Sequence, residues 1–149
     1  MKFSLEISPK TNLETIPSVN DVYITMLPGG DYKDTAHQAI ELVKKGFNPV
    51  PHFPARSIYD EKELKDYVSR CKDGGVKQAL IIGGGREPVG KFDSSFQLLE
   101  TGYFEKNMTI TVETYIGKVG GKEGVKLEQQ YLVAENNLEL MSQHPLEDI

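Results

Sequence analysis

The chain has 149 residues, of which 38% are hydrophobic, 26% charged and 9% aromatic, enough for one domain with its own core and without the bias that marks disorder or a fibre. A formal net charge of -5, with no run of Lys or Arg to offset it, argues against nucleic acid and anionic membrane surfaces as partners. The single cysteine, Cys71, excludes an internal disulfide and a Cys-based zinc site. With no apolar leader and no long apolar span, it sets the expectation of a cytoplasmic protein.

Phe3, Leu5 and Ile7 alternate with Ser4 and Glu6, the period of a strand with one apolar face. Val22-Tyr-Ile-Thr-Met26 repeats the pattern with Thr25 on the minority face, and Leu27-Pro-Gly-Gly30 ends it. Ala36, Ala39, Ile40 and Val43 then fall at helical spacing, with Asp34 as the expected cap and Gly46 as the stop. Residues 47–53 form a third strand candidate, but Pro49 and Pro51 argue against a central position because each lacks a ladder donor.

A second helix opens at Asp60, with Glu63 completing a capping-box pattern. Leu64, Tyr67, Val68 and Cys71 form its apolar stripe, which makes Cys71 a core residue in preference to a reactive thiol, and Gly74-Gly75 closes it. Residues 76–82 read as a buried strand ending in Gly83-Gly84-Gly85. Asp93 is placed to cap a short helix that runs to Gly102. Residues 108–112 alternate as a fifth strand, 122–136 are expected to be helical, and 138–142 form a short sixth strand. The order is mostly strand then helix, so the expected fold is one α/β domain spanning 1–149, a parallel sheet with helical crossovers.

In parallel α/β folds ligands bind at the carboxyl ends of the strands, which singles out Glu6, Thr25, His52, Gly83 to Gly85 and Gln143. Glu6, on the face away from the apolar side, is either a proton-transfer group in a desolvated interior or a solvated carboxylate on an edge strand. His52 is either a hydrogen-bonding or acid/base group or a structural histidine. The glycine turn either lets a ligand approach the backbone closely or is an ordinary tight turn; it matches neither a Walker sequence nor GxGxxG. Three scattered histidines, His37, His52 and His144, give no metal-ligand spacing, so no metal site is expected.

Taken together, these residues resemble a known family. Glu6-Ile-Ser-Pro-Lys10 is similar to the Glu-aromatic-aromatic-Pro-Pro element on the first strand of methylenetetrahydrofolate reductases. Residues 22–30, the Phe47-Asn-Pro-Val-Pro-His52-Phe-Pro-Ala-Arg56 run, and 79–93 with their Gly-Gly-Gly turn follow in that family's order, closest to its short, reductase-like branch. The resemblance covers residues 3–102 well and the remainder poorly.

It implies a (β/α)-barrel that binds flavin, as FAD, across its strand ends and passes hydride to methylenetetrahydrofolate. Glu6 would correspond to the acid that protonates the folate nitrogen and opens the imidazolidine ring. Thr25 and His52 would contact the flavin together with Gly83, Gly84 and Gly85, and Gln143 would bind the pterin. The chain departs from the family where Gly85 stands at the place of an Asp, where 114–121 replace a His-Pro-Glu-Gly-His-Pro-like loop, and in length. A closed eight-unit barrel takes about 250 residues, so about six β/α units, an incomplete or truncated TIM barrel, are expected here. The open strand edges of such a sheet invite a homo-oligomer or a partner chain that completes it.

Overall fold

The structure, a computed structural model, describes residues 3–104, 109–117, 124–134 and 137–141. They form a mixed α/β fold around a seven-stranded open sheet whose spatial order follows the chain, β1 to β7. β1 (Ser4–Ile7), β2 (Asp21–Ile24), β3 (Asn48–Pro54), β4 (Gln78–Ile82) and β5 (Thr109–Gly117) are parallel. β6 (Gly124–Val133) and β7 (Leu138–Leu140) then pair antiparallel. α1 (Tyr32–Lys44), α2 (Glu61–Asp73) and α3 (Ser95–Glu100) fill three of the crossovers, whereas the β1–β2 connection carries only a 3-10 turn at Leu13–Thr15.

Sequential order with right-handed crossovers puts every helix on the same side of the sheet, and the registers agree. Ile7 pairs with Ile24 and Ile24 with Pro51, while Phe53 pairs with Ile81 and Ile81 with Val112. Paired residues share a face. Ile7, Ile24, Phe53, Ala79, Ile81 and Ile110 pack with Ala36, Ala39 and Leu42 of α1, Leu64, Tyr67, Val68 and Cys71 of α2, and Leu98 of α3 in one buried cluster. Phe53 stacks on Tyr67 at 3.9 Å between ring centroids, adding a ring-on-ring contact to the burial. The thiol of Cys71 is buried in this cluster and pushed up to about 12 by that burial, which keeps it unreactive.

Local chemistry explains the element boundaries. Asp31 caps α1 by accepting from the Lys33 N–H at 2.9 Å, so Asp34, the cap expected from the sequence, lies inside the first turn. The chain arrives there through a turn closed by Gly30 N–H to Leu27 O at 2.8 Å, with Pro28 at its second position and Gly29 at φ +76°, as a type II turn requires. Asp60 caps α2 as expected, accepting from Glu63 N–H at 2.9 Å. α3 is capped by Ser94 with Gln97 in a capping box, one residue beyond the expected Asp93.

Two further sequence expectations are corrected. Pro49 and Pro51 do lie in a central strand, because β3 pairs with β2 over 48–51 and with β4 only from His52 onward. A parallel ladder uses the donors of alternate residues, so Asn48, Val50 and His52 serve it without the prolines. The expected helix over 122–136 is instead β6, joined to β5 by a ladder running from Thr109↔Leu132 to Gly117↔Gly124. The strand pattern outweighs the helix propensity of its Lys, Glu and Gln residues. The repeating β/α order therefore stops at β5, and the sheet continues as an antiparallel meander rather than a sixth β/α unit.

Candidate functional site

The sheet face opposite the helices carries the residues that the sequence singled out. Glu6 pairs with Tyr23 and Tyr23 with Val50; two residues on, His52 pairs with Leu80. Val50 and Leu80 are 2% and 4% exposed yet stand outside the helix-side cluster, so this face has an apolar floor of its own.

The structure brings Glu6 and His52 together: His52 Nε2 lies 4.0 Å from Glu6 Oε2. The Tyr23 ring stands edge-on to the imidazole, 6.3 Å between centroids at 74°. The imidazole is 8% exposed and the Glu6 side chain 66%, so the pair has a sheltered partner and a wet one. Of the two readings open for Glu6, this is the solvated carboxylate on an edge strand and not the desolvated interior, because β1 has β2 as its one neighbour among the described residues. A carboxylate beside an imidazole at the end of parallel strands can exchange protons with a ligand and with water.

His52 is anchored from behind. Its carbonyl accepts a hydrogen bond from the buried Tyr67 hydroxyl at 3.0 Å, and burial raises that phenol well above its ordinary value, so it stays a donor at any working pH. Thr25, half-buried, extends the β1–β2 ladder one step past β2, its N–H donating to Ile7 O at 2.9 Å. Gly83, Gly84 and Gly85 follow β4 directly. Gly84 has φ +93°, and a side chain there would touch Pro54 and Arg56, whereas Gly83 and Gly85 face open space. Gln143 lies outside the described residues.

The rim outside this face is charged and paired. Arg56 bonds Asp93 at 2.8 Å, and Lys91 bonds Glu61, whose carboxyl that ammonium holds below the usual range. A cleft of about 360 Å3 opens beside the N-terminus of α1, lined by Lys10, Pro28, Asp31 and Asp34 among others. None of Glu6, Thr25 and His52 lines it, so it is separate from the carboxylate–imidazole pair. Among the described residues no group of three His, Cys, Asp or Glu converges as metal ligands would, and no helix is long and apolar enough to cross a membrane.

Two residues of this region were not singled out from the sequence. Tyr23 could have been, since it stands two positions before Thr25 on the same period-2 face. Arg56 carried no local signal, because its partners lie 27 to 37 residues further along the chain. No family model matches the chain.

Proposed function

We propose that the chain is a flavin-dependent, reductase-like protein of one-carbon metabolism, similar to methylenetetrahydrofolate reductases, with 5,10-methylenetetrahydrofolate as hydride acceptor and FAD as cofactor. One observation carries the reading: Glu6 and His52 meet at 4.0 Å on the sheet face that the helices leave open. The parallel order of β1 to β5 is the order the resemblance calls for. The sheet is read as part of an incomplete (β/α)-barrel that a second copy or a partner chain completes.

The residues present fit a flat ring system. Thr25 and His52 lie at strand ends, and the open space that adjoins Gly83 and Gly85 is where such a ring would lie. FAD, once bound and reduced by an external two-electron donor such as a nicotinamide or dithionite, would supply the hydride. Glu6, in contact with water, is placed to relay a proton to the folate nitrogen. His52, whose carbonyl Tyr67 holds, sets its imidazole 4.0 Å from Glu6, beside the proposed cofactor. Gln143 is the proposed pterin contact.

A second reading has its own support: a non-catalytic folate- or nucleotide-binding module. Gly85 stands where the resemblance calls for an Asp, and Glu87, the nearest following carboxylate, is exposed on the loop. Turnover separates the two. Reduction of methylenetetrahydrofolate by the chain loaded with FAD and reduced with dithionite, lowered about a hundredfold or more in Glu6→Gln, supports the enzyme. Folate binding with no reduction, unchanged in Glu6→Gln, supports the module and refutes the enzyme.

A further inference from the structure

The loop after β4 runs from Gly83 to the Ser94 cap of α3, long enough to be a mobile lid. Its contacts make it something else. Arg56 N–H donates to Gly83 O at 3.0 Å, and Arg56 O accepts from Val89 N–H at 3.0 Å. The same residue's guanidinium donates through Nε to Asp93 O at 3.0 Å and Asp93 Oδ1 at 2.8 Å, and through Nη1 to Gly84 O at 3.4 Å.

Four residues of the loop, at its start, middle and end, are thus held by one. Gly84 seats the turn against the same place: with φ +93°, a Cβ on it would lie 3.4 Å from Pro54 Cβ and 3.6 Å from Arg56 Cβ. A surface ion pair alone contributes little. Here the Arg56–Asp93 pair is one strand of a clamp that also uses main-chain bonds and a left-handed glycine, a conformation that other residues adopt at a cost.

We infer that Arg56 is a positioning residue, locking the Gly83-Gly84-Gly85 turn to the end of β3 so that the turn and His52 present one preformed surface to the cofactor. The inference rests on the flavin reading of the open face. His52 and Arg56 are four residues apart, joined by the end of β3 and the 3-10 turn Ala55–Ser57. The clamp therefore fixes the turn relative to the imidazole with little chain between them. A turn already ordered before the ligand arrives spares the binding step that ordering entropy.

The test combines hydrogen exchange on the ligand-free chain with FAD titration, for the wild type, Arg56→Ala, Arg56→Lys and Asp93→Asn. Arg56→Ala should speed exchange across 83–93 by about tenfold or more while α2 keeps its rate. It should weaken FAD binding by about fivefold or more at nearly unchanged melting temperature, and Arg56→Lys should recover part of both. If Arg56→Ala does not fold, Asp93→Asn, which removes one strand of the clamp, should show the same pattern in weaker form.

Unchanged exchange over 83–93 in the folded variants overturns the clamp. Faster exchange with unaltered FAD affinity overturns the positioning role and leaves a structural one. A wild-type chain that takes up no FAD defeats the flavin reading, and with it the ligand half of the inference, while exchange still decides the clamp.

Discussion

Gly90→Ala puts the docking of the loop after β4 to a quantitative test. A Cβ on Gly90 would stand 2.5 Å from both the carbonyl carbon and the Cα of Tyr59, and closer still to the carbonyl oxygen. Carbon atoms in contact need about 3.5 Å, so the two backbones must separate by about 1 Å. That separation breaks the Lys91 N–H to Tyr59 O bond, now 3.0 Å, and strains the Val89 N–H to Arg56 O bond beside it. Each such bond contributes about 1 kcal/mol and overpacking costs about 1–3 kcal/mol, so a loss of about 2–4 kcal/mol is expected. For a chain of this length that lowers Tm by about 5–10 °C. Gly85→Ala is the internal control: nothing lies within 4 Å of its added methyl, and Tm should hold or rise slightly. Thermal unfolding followed by circular dichroism reads both, and a Gly90→Ala Tm within about 1 °C of wild type would refute the docked loop.

Three further outcomes are expected. Tyr67→Phe keeps the stack on Phe53 but removes the hydroxyl that donates to His52 O, so stability should fall by about 1–2 kcal/mol in denaturant unfolding; an unchanged midpoint contradicts that bond. Acid should destabilise the fold. Glu14, Glu41, Glu61 and Asp66 are held low by hydrogen bonds from Lys45, Lys44, Lys91 and Arg70 respectively. Their contribution is present above the unfolded values, 4.5 for Glu and 3.8 for Asp, and is lost as pH falls through the lower folded values. Glu63, raised by burial, acts oppositely, losing its contribution as pH rises, and is outnumbered. Stability that stays flat between about pH 6 and about pH 3 contradicts the pairing, and added salt should flatten the slope, since these pairs are exposed. Finally, β1 and β7 are sheet edges among the described residues, and Leu138 and Leu140 of β7 and Met141 just after it are exposed, so a dimer or larger assembly is expected. Sedimentation showing a stable monomer at micromolar concentration counts against it.

How far the sequence could be read depended on how local each signal was. β1, β2, α2 and β4 announced themselves through period, cap and glycine stop within a dozen residues each. Asp31 and Asp34 are equally good capping residues three positions apart, and the Leu27 to Gly30 turn decides between them by delivering the chain at Asp31. The prolines of β3 looked prohibitive because a strand's donors were counted on both sides, whereas β3 spends its two halves on different neighbours. In β6, Val125, Leu127, Tyr131 and Val133 do alternate, a strand period that the helix-forming Lys, Glu and Gln between them obscured.

The candidate site divides the same way. Period-2 alternation put Glu6 and Thr25 on the face away from the apolar side, and His52 was found by its place near a strand end, yet the exposure of Glu6 depends on what covers an edge strand, which no local pattern encodes. The meeting of Glu6 with His52, and the grip of Arg56 on residues far along the chain, are tertiary facts. They follow from strand order and register, which bring residues distant in sequence side by side.

The most direct test of the central claim is the absorbance spectrum of the purified chain before and after incubation with FAD and removal of the excess. The account predicts a retained flavin band, weakened in His52→Ala and in Arg56→Ala. A chain that retains no FAD would contradict the claim.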